Sequence, residues 1–185
     1  MMRFANFLGR DVRGSAAVEL ALVMPLLLAI LFGSVELGNY FMNQHTLVKA
    51  VRDGARFAAR QSFTNYTGCS GDVPTPGAAG SANENTKLIV RKGTLDSTAP
   101  DLLPNWSSAT FTATVSCVAS VNGQQMLGIY RSRFGSTCNG AAANGCAQVV
   151  TVTAQLNYLP ILRVFGFTGV GLNLNATSQA AVAGI

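Results

Sequence analysis

The sequence predicts an α+β chain: a long N-terminal membrane-spanning helix that continues into a helix packed on a small antiparallel sheet. Three observations lead there. Residues 15–35 form an apolar run long enough to cross a bilayer. Helical periodicity persists beyond it, with no proline from Leu37 to Gln61. Further along, two segments and a weaker third alternate apolar and polar residues with the period of a strand.

The span comes first. Ser15 to Val35 would be roughly 31 Å long at the α-helical rise, which matches the hydrocarbon thickness. Arg3, Arg10 and Arg13 precede it and the next cation after it is Lys49, so the positive-inside rule puts the N-terminus in the cytoplasm and the C-terminal bulk outside. A conventional signal peptide would end at once in a small-x-small cleavage site; here Gly33 and Ser34 are followed by Glu36 and more helical pattern. Pro25 removes one backbone hydrogen bond and predicts a bend. The costly residue is Glu19. An acid at the centre of a membrane helix costs roughly 2.5 to 3.5 kcal/mol, less near the interface, so it reads as functional, and it points to assembly rather than chemistry.

Beyond Val35, the cations Lys49, Arg52, Arg56 and Arg60 line one helical stripe, a solvated face as readily as a functional one, while Val48, Val51, Ala55, Ala58 and Ala59 line another. One helix from Ser15 to about Ser62 would reach roughly 72 Å. Its upper half can pack on a C-terminal domain; its lower half needs lipid or other subunits. The chain therefore divides into a basic leader (1–14), a transmembrane helix (15–35), its juxtamembrane continuation (36–62) and an extracytoplasmic α+β domain (63–185).

Thr64 to Ala82, with its glycines and prolines, predicts a loop. Asn83 or Asn85 then caps a short helix to about Leu95 with Leu88, Ile89 and Leu95 inward. Thr110 to Ser120 alternates Phe111, Ala113, Val115 and Cys117 against polar residues; Gln148 to Tyr158 repeats this with Val150, Val152, Ala154 and Leu156; Gly171 to Val182 does so weakly through Leu172 and Leu174. Between the last two, Ile161, Leu162, Val164, Phe165 and Phe167 read as a buried connection, the other reading being an exposed patch for a neighbour or the membrane surface.

At 185 residues the chain has room for one domain beyond its anchor. The formal charge of +5 includes the leader's three arginines against Asp11, and no dense basic patch with interleaved aromatics appears, which argues against nucleic acid. Four cysteines, Cys69, Cys117, Cys138 and Cys146, lie beyond the span without zinc-site spacing, so they predict disulfides in an oxidising compartment. Cys138 with Cys146 around the flexible NGAAANG segment would leave Cys69 with Cys117; the competing set pairs Cys117 with Cys146 across adjacent strands. His45 is the single histidine, and no nucleophile elbow, phosphate loop, metalloprotease helix or calcium loop occurs. The expectation is a chain that is no enzyme, with no cofactor, no metal and no small-molecule substrate.

The stretch Arg13-Gly14-Ser15-Ala16-Ala17-Val18-Glu19-Leu20-Ala21-Leu22, then Pro25-Leu26-Leu27-Leu28 and Phe32-Gly33, resembles the N-terminus of TadE-like proteins. Those are minor pilins, or pseudopilins, of the tight-adherence type IV pilus. Arg52-Asp53-Gly54-Ala55-Arg56-Phe57-Ala58-Ala59 resembles the family's juxtamembrane helix. TadG-like relatives share the start but have a much longer outer domain. The resemblance implies a pilin-like fold, an inner-membrane location, and adhesion-pilus assembly with other pilin and pilus-assembly subunits. It also implies cleavage after Gly14 by a prepilin peptidase, leaving Ser15 as the new N-terminus and Glu19 one helical turn away, where an amine of its own chain or of an adjacent subunit offsets its burial. Leu20 departs from the family, in which an aromatic often follows the acid. The alternative function is an uncleaved single-pass envelope protein whose outer domain is a binding module.

Overall fold

The computed structural model describes residues 13–66, 71–73, 79–118, 120–121, 124–125, 147–166 and 171–184. Helix α1 (Arg13–Ala59) is 47 residues long, about 70 Å at the α-helical rise, and runs through Pro25 without interruption. It stops at Ala59 rather than near Ser62 because tertiary partners capture its last carbonyls. Arg60 and Gln61 donate to Phe57 and Ala58, the Tyr66 hydroxyl donates to the Ala58 carbonyl (2.5 Å), and the Ala183 N–H donates to Ala59 (2.8 Å). A single 3₁₀ turn, Phe63–Asn65, follows.

The next helix, α2 (Ala82–Lys92), starts differently from the sequence expectation. Ser81 is its N-cap, its Oγ accepting from the Glu84 N–H at 3.2 Å. Ser81-Ala82-Asn83-Glu84 is a capping-box sequence, and Asn83 falls inside the helix, where its buried amide donates to the Val73 carbonyl at 3.1 Å. Gly93, left-handed at φ 72°, ends it, so Leu95 lies beyond the helix and is exposed. The inward face is Ala82, Asn83, Thr86 and Val90; Leu88 and Ile89 are only half-buried.

Five strands follow among the described residues: β1 (Thr110–Val118), β2 (Ser120–Val121), β3 (Gln124–Gln125), β4 (Ala147–Asn157) and β5 (Asn173–Ala181). The main sheet has the order β1-β4-β5, antiparallel throughout, and β2-β3 is a separate minimal ladder. Register puts Ala113 opposite Val152 and Val115 opposite Val150, and on the other side Ala176 opposite Ala154 and Leu174 opposite Leu156. One face is therefore apolar throughout, and it packs on Leu47, Val51, Ala55 and Ala58 of α1. Each fully buried valine or leucine there contributes about 1.5 to 3 kcal/mol. The opposite face is polar, with Thr153 and Thr177 bonded hydroxyl to hydroxyl.

Two readings of the third strand and its approach need correction. Leu172 does not share a face with Leu174: it precedes β5, its carbonyl accepts from the Tyr158 N–H at 2.9 Å, and its side chain is exposed. The connection before it is not a buried apolar plug. Residues Ile161–Phe165 form a 3₁₀ turn with Ile161 and Val164 exposed and Leu162 half-buried; Phe167 and the side chain of Phe165 lie outside the described residues. The proposed loop after Thr64 contributes one unexpected contact. Gly71 to Val73 bridges the outer edge of β1, Val73 N–H to Ala113 and Val115 N–H to Gly71, and so covers an edge that would otherwise be open.

Strand direction fixes which end of the domain faces the apolar half of α1. Tyr40 and Gln44 donate to the Asn173 and Asn175 carbonyls at the start of β5, while Ala183 just past its end meets Ala59. Thus β5 ascends beside α1, β4 descends, and the β4–β5 connection sits at the level of Glu36. The paired ends Val118 and Ala147 lie at the opposite pole.

Candidate functional site: the bare half of the helix and its junction with the domain

Below Glu36 the helix is almost uncovered. Val18, Leu20, Leu22, Leu26, Ile30 and Leu31 are all exposed, Leu22 by 75%. The most apolar 18-residue window, within Ala17–Ala59, has mean hydropathy 2.3 and none of it is buried; it is the one helix among the described residues long and apolar enough to cross a membrane. In water such a surface would be a severe aggregation liability, so it calls for lipid or protein around it.

Gly14 and Glu19 fall on this surface. The Gly14–Ser15 bond lies in the first turn of α1, Gly14 is exposed, and Glu19 is exposed on the following turn. Residues 1–12 lie outside the described residues, as do Cys69, Cys138 and Cys146. Cys117 is described: it stands near the end of β1, half-buried, and is not a free thiol.

At the upper limit of the bare segment stands Glu36, which the sequence reading passed over. Its carboxylate receives the Tyr158 hydroxyl and two backbone N–H groups, Ile161 at 3.2 Å on Oε1 and Leu162 at 3.0 Å on Oε2. One acid thus caps the 3₁₀ turn and ties the β4–β5 connection to the helix. The Asn39 amide donates to the same Tyr158 oxygen at 2.7 Å, and the Tyr40 ring meets that of Tyr158 edge-on with centroids 5.2 Å apart. Burial, then donation to the Glu36 carboxylate, pushes the Tyr158 phenol up to about 12. Beside this latch a groove of about 390 Å³ is lined by Gly33, Glu36, Leu37, Tyr40, Tyr158 and Leu172. A sequence signal existed, an acid directly after the apolar run, but its partners are more than a hundred residues away and nothing local names them.

Higher on α1 the cations Lys49, Arg52, Arg56 and Arg60 are exposed, with Asp53 3.8 Å from Arg56. His45 is exposed beside Phe41, Gln44 and Val48. Among the described residues no three of His, Cys, Asp and Glu gather as metal ligands would.

No curated protein and no solved structure matches the chain. A family model, described as TadE-like protein, matches residues 14–56. That interval opens at Gly14 and takes in Glu19, the bare apolar surface, Glu36 and the first turns that enter the domain core. The stretch from the first turn of α1 to Arg56 is therefore a TadE-like segment, and through it the chain is similar to the TadE-like family.

Proposed function

We propose that this chain is a non-enzymatic minor pilin or pseudopilin that takes part in assembling a tight-adherence type IV pilus. The observation that supports it most is the uncovered apolar half of α1 with an acid one turn after Ser15, inside a segment matched by the TadE-like family model. On this reading the helix inserts through residues 15–35 with its N-terminus in the cytoplasm and residues 63–185 outside, where the cysteines form disulfides. A prepilin peptidase cuts after Gly14. The new Ser15 amine and the Glu19 carboxylate of the same or an adjacent subunit then neutralise each other in a low-dielectric setting, and the apolar surface packs laterally against other subunits. Removing one member of a buried ion pair costs about 3 to 5 kcal/mol. Glu19→Gln and Glu19→Ala should therefore insert normally and yet abolish surface fibres, scored by sheared-pilus recovery alongside membrane fractionation. N-terminal sequencing of the membrane-borne protein should read from Ser15. Full piliation by both variants, with Met1 or Met2 still in place, would leave an uncleaved envelope protein with a binding domain as the better description.

A further inference from the structure

The β4–β5 connection presents large apolar side chains to solvent at an unusual place. Val164 is 90% exposed, Ile161 60% and Leu172 52%. Singly such residues are ordinary. Here they share one connection, and the Glu36 carboxylate holds the Ile161 and Leu162 N–H groups within hydrogen-bond distance. Glu36 adjoins Val35, the last residue of the apolar run. Since β4 descends to this level and β5 ascends from it, the connection is the end of the sheet nearest the run. Leu37, exposed and lining the same groove as Leu172, continues the apolar surface from helix to connection. Between Ile161 and Val164 stands exposed Arg163.

We propose that Ile161, Arg163, Val164 and Leu172 form a foot that rests in the headgroup boundary of the bilayer crossed by α1, on the domain's side, with Ile161, Val164 and Leu172 entering it and Arg163 among the lipid phosphates. The inference rests on reading residues 15–35 as the span. Side chains anchored at the helix exit reach the depth of about 5 to 10 Å at which interfacial apolar groups settle. The long arginine stem lies along apolar surface while its head stays with the phosphates. The consequence is mechanical: span and foot give two contacts with the membrane, so the domain is held at one tilt instead of swivelling on a stalk.

The test is photocrosslinking of the full chain in vesicles of phosphatidylethanolamine and phosphatidylglycerol, with benzoylphenylalanine placed singly at Val164, Ile161, Leu27 and Gln179. Leu27 reports the span and Gln179 the polar upper sheet. Expected is lipid crosslinking at Val164 and Ile161 within about twofold of Leu27 and at least about tenfold above Gln179. Strong crosslinking at Leu27 with Val164 and Ile161 no better than Gln179 overturns the foot alone. Crosslinks from Val164 to a second copy of the chain overturn it in favour of a subunit contact. Absence of lipid at Leu27 as well overturns the span and the foot together.

Discussion

Gly54 decides how near the two helices come. A Cβ built there would stand 2.3 Å from the Val90 Cγ2 and 3.6 Å from the Thr86 carbonyl oxygen, so α2 crosses α1 on the hydrogen of a glycine. Gly54→Ala should push α2 outward and cost about 1 to 3 kcal/mol, the usual penalty for overpacking a fitted core. Thermal unfolding of the detergent-solubilised full chain checks it. Adding Val90→Ala should restore part of the loss, because the clash is with that side chain, and a double variant merely additive in its losses would refute the contact. The Arg-Asp-Gly-Ala-Arg stretch was visible as a family resemblance, yet sequence offered no reason for its glycine. Glu36 is a similar case. The cost of burying an acid singled out Glu19 from local context alone, whereas the role of Glu36 is written in Tyr158 and the Ile161 and Leu162 N–H groups.

Helix α2 is held at its C-terminal end by a three-member charge cluster. Arg91 Nε and Nη2 donate to the two oxygens of Asp101 at 2.6 and 2.8 Å, and Lys92 Nζ lies 3.3 Å from the same carboxylate while donating to the Ala99 carbonyl. Donation from Arg91, then from Lys92, holds the Asp101 carboxyl below the usual carboxylate range despite its partial desolvation. A depressed folded-state pKa means the stabilisation is present above the unfolded value of about 4 and is lost as pH falls through the folded one. Asp101→Asn should therefore lower stability at neutral pH by about 1 kcal/mol, since the group is partly exposed, and flatten the acid limb of a melting-temperature-against-pH curve. A parallel displacement of the whole curve would exclude the linkage. At this scale the elements were largely legible: alternation gave β1 and β4 their faces, because a two-residue period is a local property. The 3₁₀ turn was misread because apolar content alone does not reveal that a distant carboxylate is capping its backbone and turning Ile161 and Val164 outward. Ser81 was overlooked as a cap although the capping-box glutamate stood three residues on.

At the scale of the molecule, α1 divides into an exposed apolar half and a half packed on the domain, with two nearly separate sets of residues. The fully buried contribution of α1 to the core begins at Leu47, its half-buried rim begins at Phe32 and Gly33, and described side chains from 17 to 31 are all exposed. The domain should then not depend on the span for its stability. Deleting residues 1–31, which keeps Phe32 and the groove-lining Gly33, should yield a monomeric soluble domain that melts within about 5 °C of the detergent-solubilised full chain, the shift expected from roughly 1 kcal/mol. Deleting residues 1–46 removes Glu36, the Tyr40 ring against Tyr158 and the Gln44 amide bonded to Asn175. It also uncovers the apolar lower end of the sheet around Leu156 and Leu174. That truncation should lose about 10 °C or more, aromatic packing and the latch together being worth several kcal/mol. If both truncations melted alike, the junction at Glu36 would be an incidental contact, and the domain would be free to swivel on the membrane helix. If instead the shorter deletion already collapsed the fold, the apolar half of α1 would have to be part of the core rather than the bare surface it is beside the domain.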